Sequence, residues 1–145
     1  SSFQLQDLKH SPHIVVILDV FPDHLDAHQS FKEYFEAKKS ITKFQKSRDL
    51  VFYLATNKYA KQIAEKSKGK KIPVSSNIQI PELRIPGPHN QKNIAIVVAI
   101  AKNFKVPQKM ILMCLLAGMQ LIQNMKFHLN FQRHLPMKQA LHVKY

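Results

Sequence analysis

The 145-residue chain has no tryptophan, a single cysteine (Cys114), three glycines (Gly69, Gly87 and Gly118) and only nine acidic residues, the last of them Glu82. One cysteine excludes an internal disulfide, and its place in an apolar run marks Cys114 as a core thiol rather than a nucleophile. None of the glycines opens a G-x-x-x-x-G-K-[ST] pattern, so these residues contain no P-loop to cradle nucleotide phosphates. The apolar run Met110 to Met119, bounded by Lys109 and Gln120, is too short to span a bilayer. It reads as a core helix, or as an exposed sticky surface where its partner domain is missing. His10, His13, His128, His134 and His142 show no metal-ligand spacing.

What the chain has in excess is positive charge. The formal net charge is +13, and from Leu83 to Tyr145 nine Lys/Arg residues stand against no acid at all. A sequence pI near 10.0 is the electrostatic footprint of a nucleic-acid-binding module. That reading requires basic clusters interleaved with exposed aromatics. The lysines between Lys38 and Lys71 are instead scattered, and Phe31, Tyr34 and Phe35 fall at internal positions. Nucleic-acid binding therefore stands as an alternative, with salt-dependent binding as its discriminating observation. At 45% hydrophobic, 145 residues make one ordinary domain with a core.

Apolar spacing predicts alternating strands and helices, hence an α/β fold with a mostly parallel sheet flanked by helices. The expected order is a strand from His13 to Val20, a helix from Ser30 to about Phe44, a strand from Leu50 to Leu54 and a helix from Asn57 to Ser67. Short extended pieces at Ile72 to Val74 and Ile78 to Ile80 follow, then a helix from Asn90 to Phe104 and another from Pro107. The first strand, continuous in Ile14, Val15, Val16, Ile17 and Leu18, is expected to be covered on both faces. Lys66 to Lys71 and the Pro81, Pro86, Pro88 cluster read as solvated loops.

Chemistry-bearing residues gather after the first strand. Pro22 stops it, and Asp23, His24 and Asp26 occupy the loop at its carboxyl end, where open α/β sheets place ligands. Ser30 and Glu33 form an S-x-x-E capping box that restarts the chain as a helix. Lys38 shares that helix's apolar side with Phe31, Tyr34, Phe35 and Ile41. Apolar surroundings disfavour the charged ammonium and favour the nucleophilic amine, which adds to carbon dioxide to give a carboxylate-like carbamate. The competing readings are a Lys38 that snorkels to solvent from the edge of the stripe and a His24 with no metal role. Asn90 and Asn93 begin a buried apolar helix, Ile94 to Ala101, where asparagine serves as an N-cap.

Three motifs in order resemble the central domain of the bacterial Mur ligase family. Ser1-Ser2-Phe3-Gln4-Leu5 is similar to the segment typical of its D-glutamate-adding members. Asp23-His24-Leu25-Asp26, His28, Ser30-Phe31, Tyr34 and Ala37-Lys38 resemble D-H-L-D-x-H-x-S-F-x-x-Y-x-x-A-K, and Gly87-Pro88-His89-Asn90-Gln91-Lys92-Asn93 resembles G-x-H-N-x-x-N. The resemblance implies an incomplete Mur-ligase central domain over about residues 1–115. It implies ATP and Mg2+ as cofactors, with UDP-N-acetylmuramoyl-L-alanine and D-glutamate as substrates joined through an acyl phosphate. His24 and a carbamylated Lys38 would hold magnesium, which prefers hard oxygen ligands. Asn90 and Asn93 would contact the adenine, and Ser1 the muramoyl-alanine end of the substrate. It further implies a cytoplasmic enzyme of peptidoglycan synthesis, monomeric at full length, without a membrane span or a nucleic-acid partner. Another Mur ligase, adding a different amino acid, is the nearer alternative.

The pattern is not kept everywhere. The family usually has asparagine where Asp19 stands, and an Asn-rich acidic turn where this chain has Leu54-Ala55-Thr56-Asn57. The family's P-loop and a metal-binding glutamate lie upstream of the serine pair, so the chain is expected to be incomplete at its start and inactive alone. Near Gly118 the family's Gly-Leu-x-His-Arg-x-Glu is replaced by Met119, Gln120, Leu121 and Ile122. Residues 116–145 are therefore expected to be an atypical basic tail, a truncation or frameshift product.

Overall fold

The computed structural model describes residues 5, 7–21, 30–77, 87–118 and 120. His24 and Ser1, the extended piece at Ile78 to Ile80, Pro81, Pro86 and most of the basic tail lie outside them. The chain forms two compact units, Ser1–Phe104 and Lys105–Tyr145. In the first unit the order is β1 (Ile14–Ile17), α1 (Phe31–Lys39), β2 (Leu50–Leu54), α2 (Lys58–Glu65), β3 (Lys70–Val74) and α3 (Pro88–Asn103). The three strands form a parallel sheet in the order β1-β2-β3. Parallel neighbours require crossover connections, and α1 and α2 supply them.

The α/β expectation holds, and the β2 boundaries are those read from the sequence. β1 is shorter than expected, ending at Ile17, and just beyond it the Asp19 carboxylate is held by Asn57 and Lys92. It is also covered on one face only. Val15 and Ile17 are buried, whereas Ile14 and Val16 are each 38% exposed and Leu18 is 41% exposed. The reason is the helix arrangement. Tyr34 and Phe35 of α1 and Ala60, Ile63 and Ala64 of α2 pack on Val15, Ile17 and Val51, and on the opposite face Ala95 and Ile96 of α3 pack on Phe52, Leu54 and Val74. The α3 core thus lies against β2 and β3.

Capping fixes where the helices start. Ser30 caps α1, its hydroxyl accepting from the Glu33 N–H at 3.2 Å, as the capping-box spacing implies. α1 ends at Lys39 rather than near Phe44 and passes into a 3-10 turn, Ser40–Thr42. Asn57 caps α2 by accepting from the Ala60 N–H at 2.8 Å. The start of α3 differs from expectation. Gly87, with φ of 81°, is the cap and Pro88 is the first helical residue, so Asn90 sits inside the first turn and is not the N-cap. Nor is α3 buried on most sides: Ala95, Ile96 and Val98 are buried, but Val97 is 50% exposed.

The stretch Lys66 to Lys71 is no open loop. Ser67 is buried, Gly69 packs against Asp49, and Lys70 and Lys71 already belong to β3. The Lys70 N–H donates to the Asp49 carbonyl at 2.8 Å, which starts the β2–β3 register at Leu50 opposite Lys70. Buried Gln45 ties this corner together. Its amide donates to the Pro12 and Leu50 carbonyls at 3.0 and 3.2 Å and accepts from the Ser67 hydroxyl at 2.7 Å. In the second unit, residues 108–118 are helical. Met110, Met113, Leu116 and Cys114 are exposed there, so Cys114 is not the core thiol its apolar neighbours suggest. Among the described residues, no helix is long and apolar enough to cross a membrane.

Candidate functional site

A parallel sheet has all its carboxyl ends on one side, and the loops and helix starts found there share one rim. β1 delivers Leu18, Asp19, Val20 and Phe21 to that rim. Lys38, in the last turn of α1, lies beside this stretch of chain. A cavity of about 220 Å³ is lined by Val16, Ile17, Leu18, Asp19, Val20, Lys38, Ile41 and Ile63, with Leu5. Lys38 is half-buried there, so neither full solvation nor full burial describes it.

Two adjacent lysines have different surroundings. Lys39 Nζ lies 2.6 Å from a Glu36 carboxylate oxygen and over the Phe35 ring. Lys38 Nζ stands 4.7 Å from the centre of the Tyr34 ring, one turn back on the same helix. Among the described residues no carboxylate pairs with Lys38. Phe31, Phe35 and Tyr59 form an aromatic cluster, with Tyr59 edge-on to Phe31 and Phe35 at 4.9 and 5.4 Å. A larger cavity of about 580 Å³ lies on the other side of α1 against Glu33, Glu36 and Lys43, and it contains none of the sequence-derived site residues.

Asn90 and Asn93 lie in the first two turns of α3 and are exposed. Lys92, between them, reaches back to the segment just after β1. Its ammonium lies 2.8 Å from Asp19 Oδ2, across a sequence separation of 73 residues. Asp19 Oδ1 accepts from Asn57 Nδ2 at 3.3 Å, and the same Asn57 group donates to the Val20 carbonyl at 3.1 Å. Asp19 therefore touches both halves of the site, lining the Lys38 cavity and holding the turn that bears Asn90 and Asn93. Sequence reasoning marked Asp19 only as a departure and missed Lys92 and Asn57. The available signals were an acid at the end of an apolar strand and a lone cation between two asparagines.

Comparison with known proteins gives a consistent result. The model of the Mur ligase middle domain matches residues 1–79, more than half of the chain. The chain belongs to the Mur ligase family. Similar proteins include the UDP-N-acetylmuramoylalanine--D-glutamate ligases of Symbiobacterium thermophilum, 31% identical over 68% of this chain, and Streptococcus mutans, 32% identical over 70%. That of Clostridium tetani is 35% identical over 57% of the chain. The matches cover 28%, 27% and 18% of these relatives respectively, so this Mur ligase chain spans under a third of their length. The parallel sheet flanked by helices is consistent with a Mur ligase middle domain.

Proposed function

We propose that the chain is the middle-domain portion of a cytoplasmic ligase that uses ATP to add D-glutamate to UDP-N-acetylmuramoyl-L-alanine in peptidoglycan precursor synthesis. The observation that carries this reading is the run of relatives named for that reaction, each matching more than half of the chain. The meeting of the Lys38 cavity and the α3 turn at Asp19 supports it from the geometry.

In this reading the substrate carboxylate takes the terminal phosphoryl group of ATP to form an acyl phosphate. The amine of D-glutamate then displaces phosphate and loses a proton as the amide forms. Charge on the transferring phosphoryl oxygens has to be balanced by fixed positive groups. Asn90 and Asn93 present the donor–acceptor amides that an adenine edge accepts, and Ser1 would face the muramoyl-alanine end.

Lys38 fits a metal role only after modification, because an ammonium has no lone pair to give. The Asp19 carboxylate lining its cavity is already engaged by Lys92, so a carbamate on Lys38 would bring negative charge that a divalent cation balances. Lys38 as a carbamate, with His24, would hold Mg2+, whose bound form neutralises phosphoryl oxygens. The carbamate forms when the neutral amine adds to carbon dioxide and releases a proton to solvent.

The test is phosphate release dependent on ATP, D-glutamate and UDP-N-acetylmuramoyl-L-alanine, run on the 145-residue chain and on a chain extended at both ends from its coding locus. Activity is expected in the extended chain. Turnover with a different amino acid would make it another Mur ligase, and silence with every amino acid would sink the reading.

A further inference from the structure

The core of α3 rests on β2 and β3 through Ala95 and Ile96, contacts that are apolar and carry little direction. Apolar packing alone leaves the rotation and axial position of a helix weakly specified. A directional contact reaches α3 from the segment just after β1: Lys92 Nζ to Asp19 Oδ2 at 2.8 Å. The pair is shielded, with the Lys92 side chain 26% exposed and that of Asp19 14% exposed, so it is weakened by solvent less than a surface pair. Asp19 is itself held from the other side. Asn57 is buried, spends one amide hydrogen on Asp19 at 3.3 Å, and uses its oxygen to cap α2 at Ala60. The carboxylate thus stands at a junction of β1, α2 and α3.

We propose that Asp19 and Lys92 form a positioning pair that sets the first turn of α3, and with it Asn90 and Asn93, against the rim where Lys38 lies. What is positioned rests on the adenine reading of Asn90 and Asn93, whereas the coupling of the pair does not. Neither residue touches substrate in this role. Their effect passes through the placement of the turn.

The experiment uses the 145-residue chain with Asp19→Asn, Lys92→Met, the double variant and Lys92→Arg. Asp19→Asn keeps the shape and an oxygen for Asn57, and Lys92→Met keeps the aliphatic stem, so both retain the fold. Amide hydrogen exchange is followed in residues 91–95, with residues 60–64 of α2 as the internal reference, and ADP is titrated against the side-chain amide resonances of Asn90 and Asn93. Each single change is expected to speed exchange in the α3 turn and to weaken ADP binding, both by about ten-fold, the scale of a charged hydrogen bond. The α2 reference and the global unfolding midpoint should stay near wild type. The double variant should be no worse than Lys92→Met, and Lys92→Arg should behave as wild type.

Wild-type exchange in the single variants, additive effects in the double, or failure of Lys92→Arg to preserve the turn would overturn the pair. If the wild-type chain shows no ADP response while the exchange coupling is intact, the adenine reading falls and the junction stands.

Discussion

Among the described residues, Asp49 has the most clearly perturbed protonation. Its carboxylate accepts from the Lys46 N–H at 2.6 Å and pairs with His13 Nδ1 at 2.5 Å, and these contacts, the backbone one foremost, hold its pKa below the usual carboxylate value. A carboxyl with a lowered folded-state pKa adds stability above the unfolded value, near 3.9 for aspartate, and loses it as pH falls through that value to the folded one. Urea denaturation should therefore show Asp49→Asn less stable than wild type near neutral pH, with the two curves converging as pH drops below about 4. Parallel curves over the whole range would remove Asp49 from the acid response. Lys38 makes a different prediction. Lys38→Met should cost about 0.5–1 kcal/mol through loss of the Tyr34 contact, and a carbamate resonance raised by isotopically labelled bicarbonate should be present in wild type and absent in the variant. A persisting resonance would put the carbamate elsewhere.

At the scale of elements, two glycines are needed for opposite reasons. A Cβ on Gly69 would stand 2.5 Å from the Asp49 carbonyl oxygen, the same oxygen that accepts from Lys70 to start β3. Gly87 has open space around it but a φ of +81°, which a side chain resists. Gly69→Ala should cost about 1–3 kcal/mol as overpacking, and Gly87→Ala about 1–3 kcal/mol as backbone strain at the α3 start. Thermal unfolding tests both, and hydrogen exchange should show the Gly87 effect confined to the first turn of α3. Elements with a strong local signal were legible in the sequence. The apolar run of β2 and the Ser30 cap needed only neighbours within a turn. What escaped depended on distant chain: the start of β3 is set by Asp49, twenty-one residues earlier, and the Asp19 carboxylate beyond β1 is held by Asn57 and Lys92. The site divides the same way. Lys38 was visible from helical spacing, while the role of Asp19 emerges only when residues 57 and 92 are brought to it.

Over the whole molecule, the net charge of +13 and the family membership point to different partners. The lysines of the first unit are spread over several elements: Lys38 and Lys39 on α1, Lys58 on α2, Lys70 and Lys71 on β3 and Lys92 on α3. Several make specific contacts, with Lys39 on Glu36, Lys92 on Asp19, and Lys38 and Lys58 over tyrosine rings. Charge distributed in this way attracts polyanions through a general field, without the aligned donors that read a base edge. Any duplex DNA retained by the chain should be bound independently of sequence, and its affinity should fall by about 10³–10⁵ between about 50 and 200 mM salt if six to ten phosphates are engaged. The proposed adenine contact of Asn90 and Asn93 would use neutral amides, which are far less sensitive to counterions than phosphate contacts. ADP shifts at these two residues should persist across the same salt range, so one salt series separates the two partners. Salt-resistant, sequence-dependent retention of DNA, with no adenine response at α3, would return the basic binding module to first place.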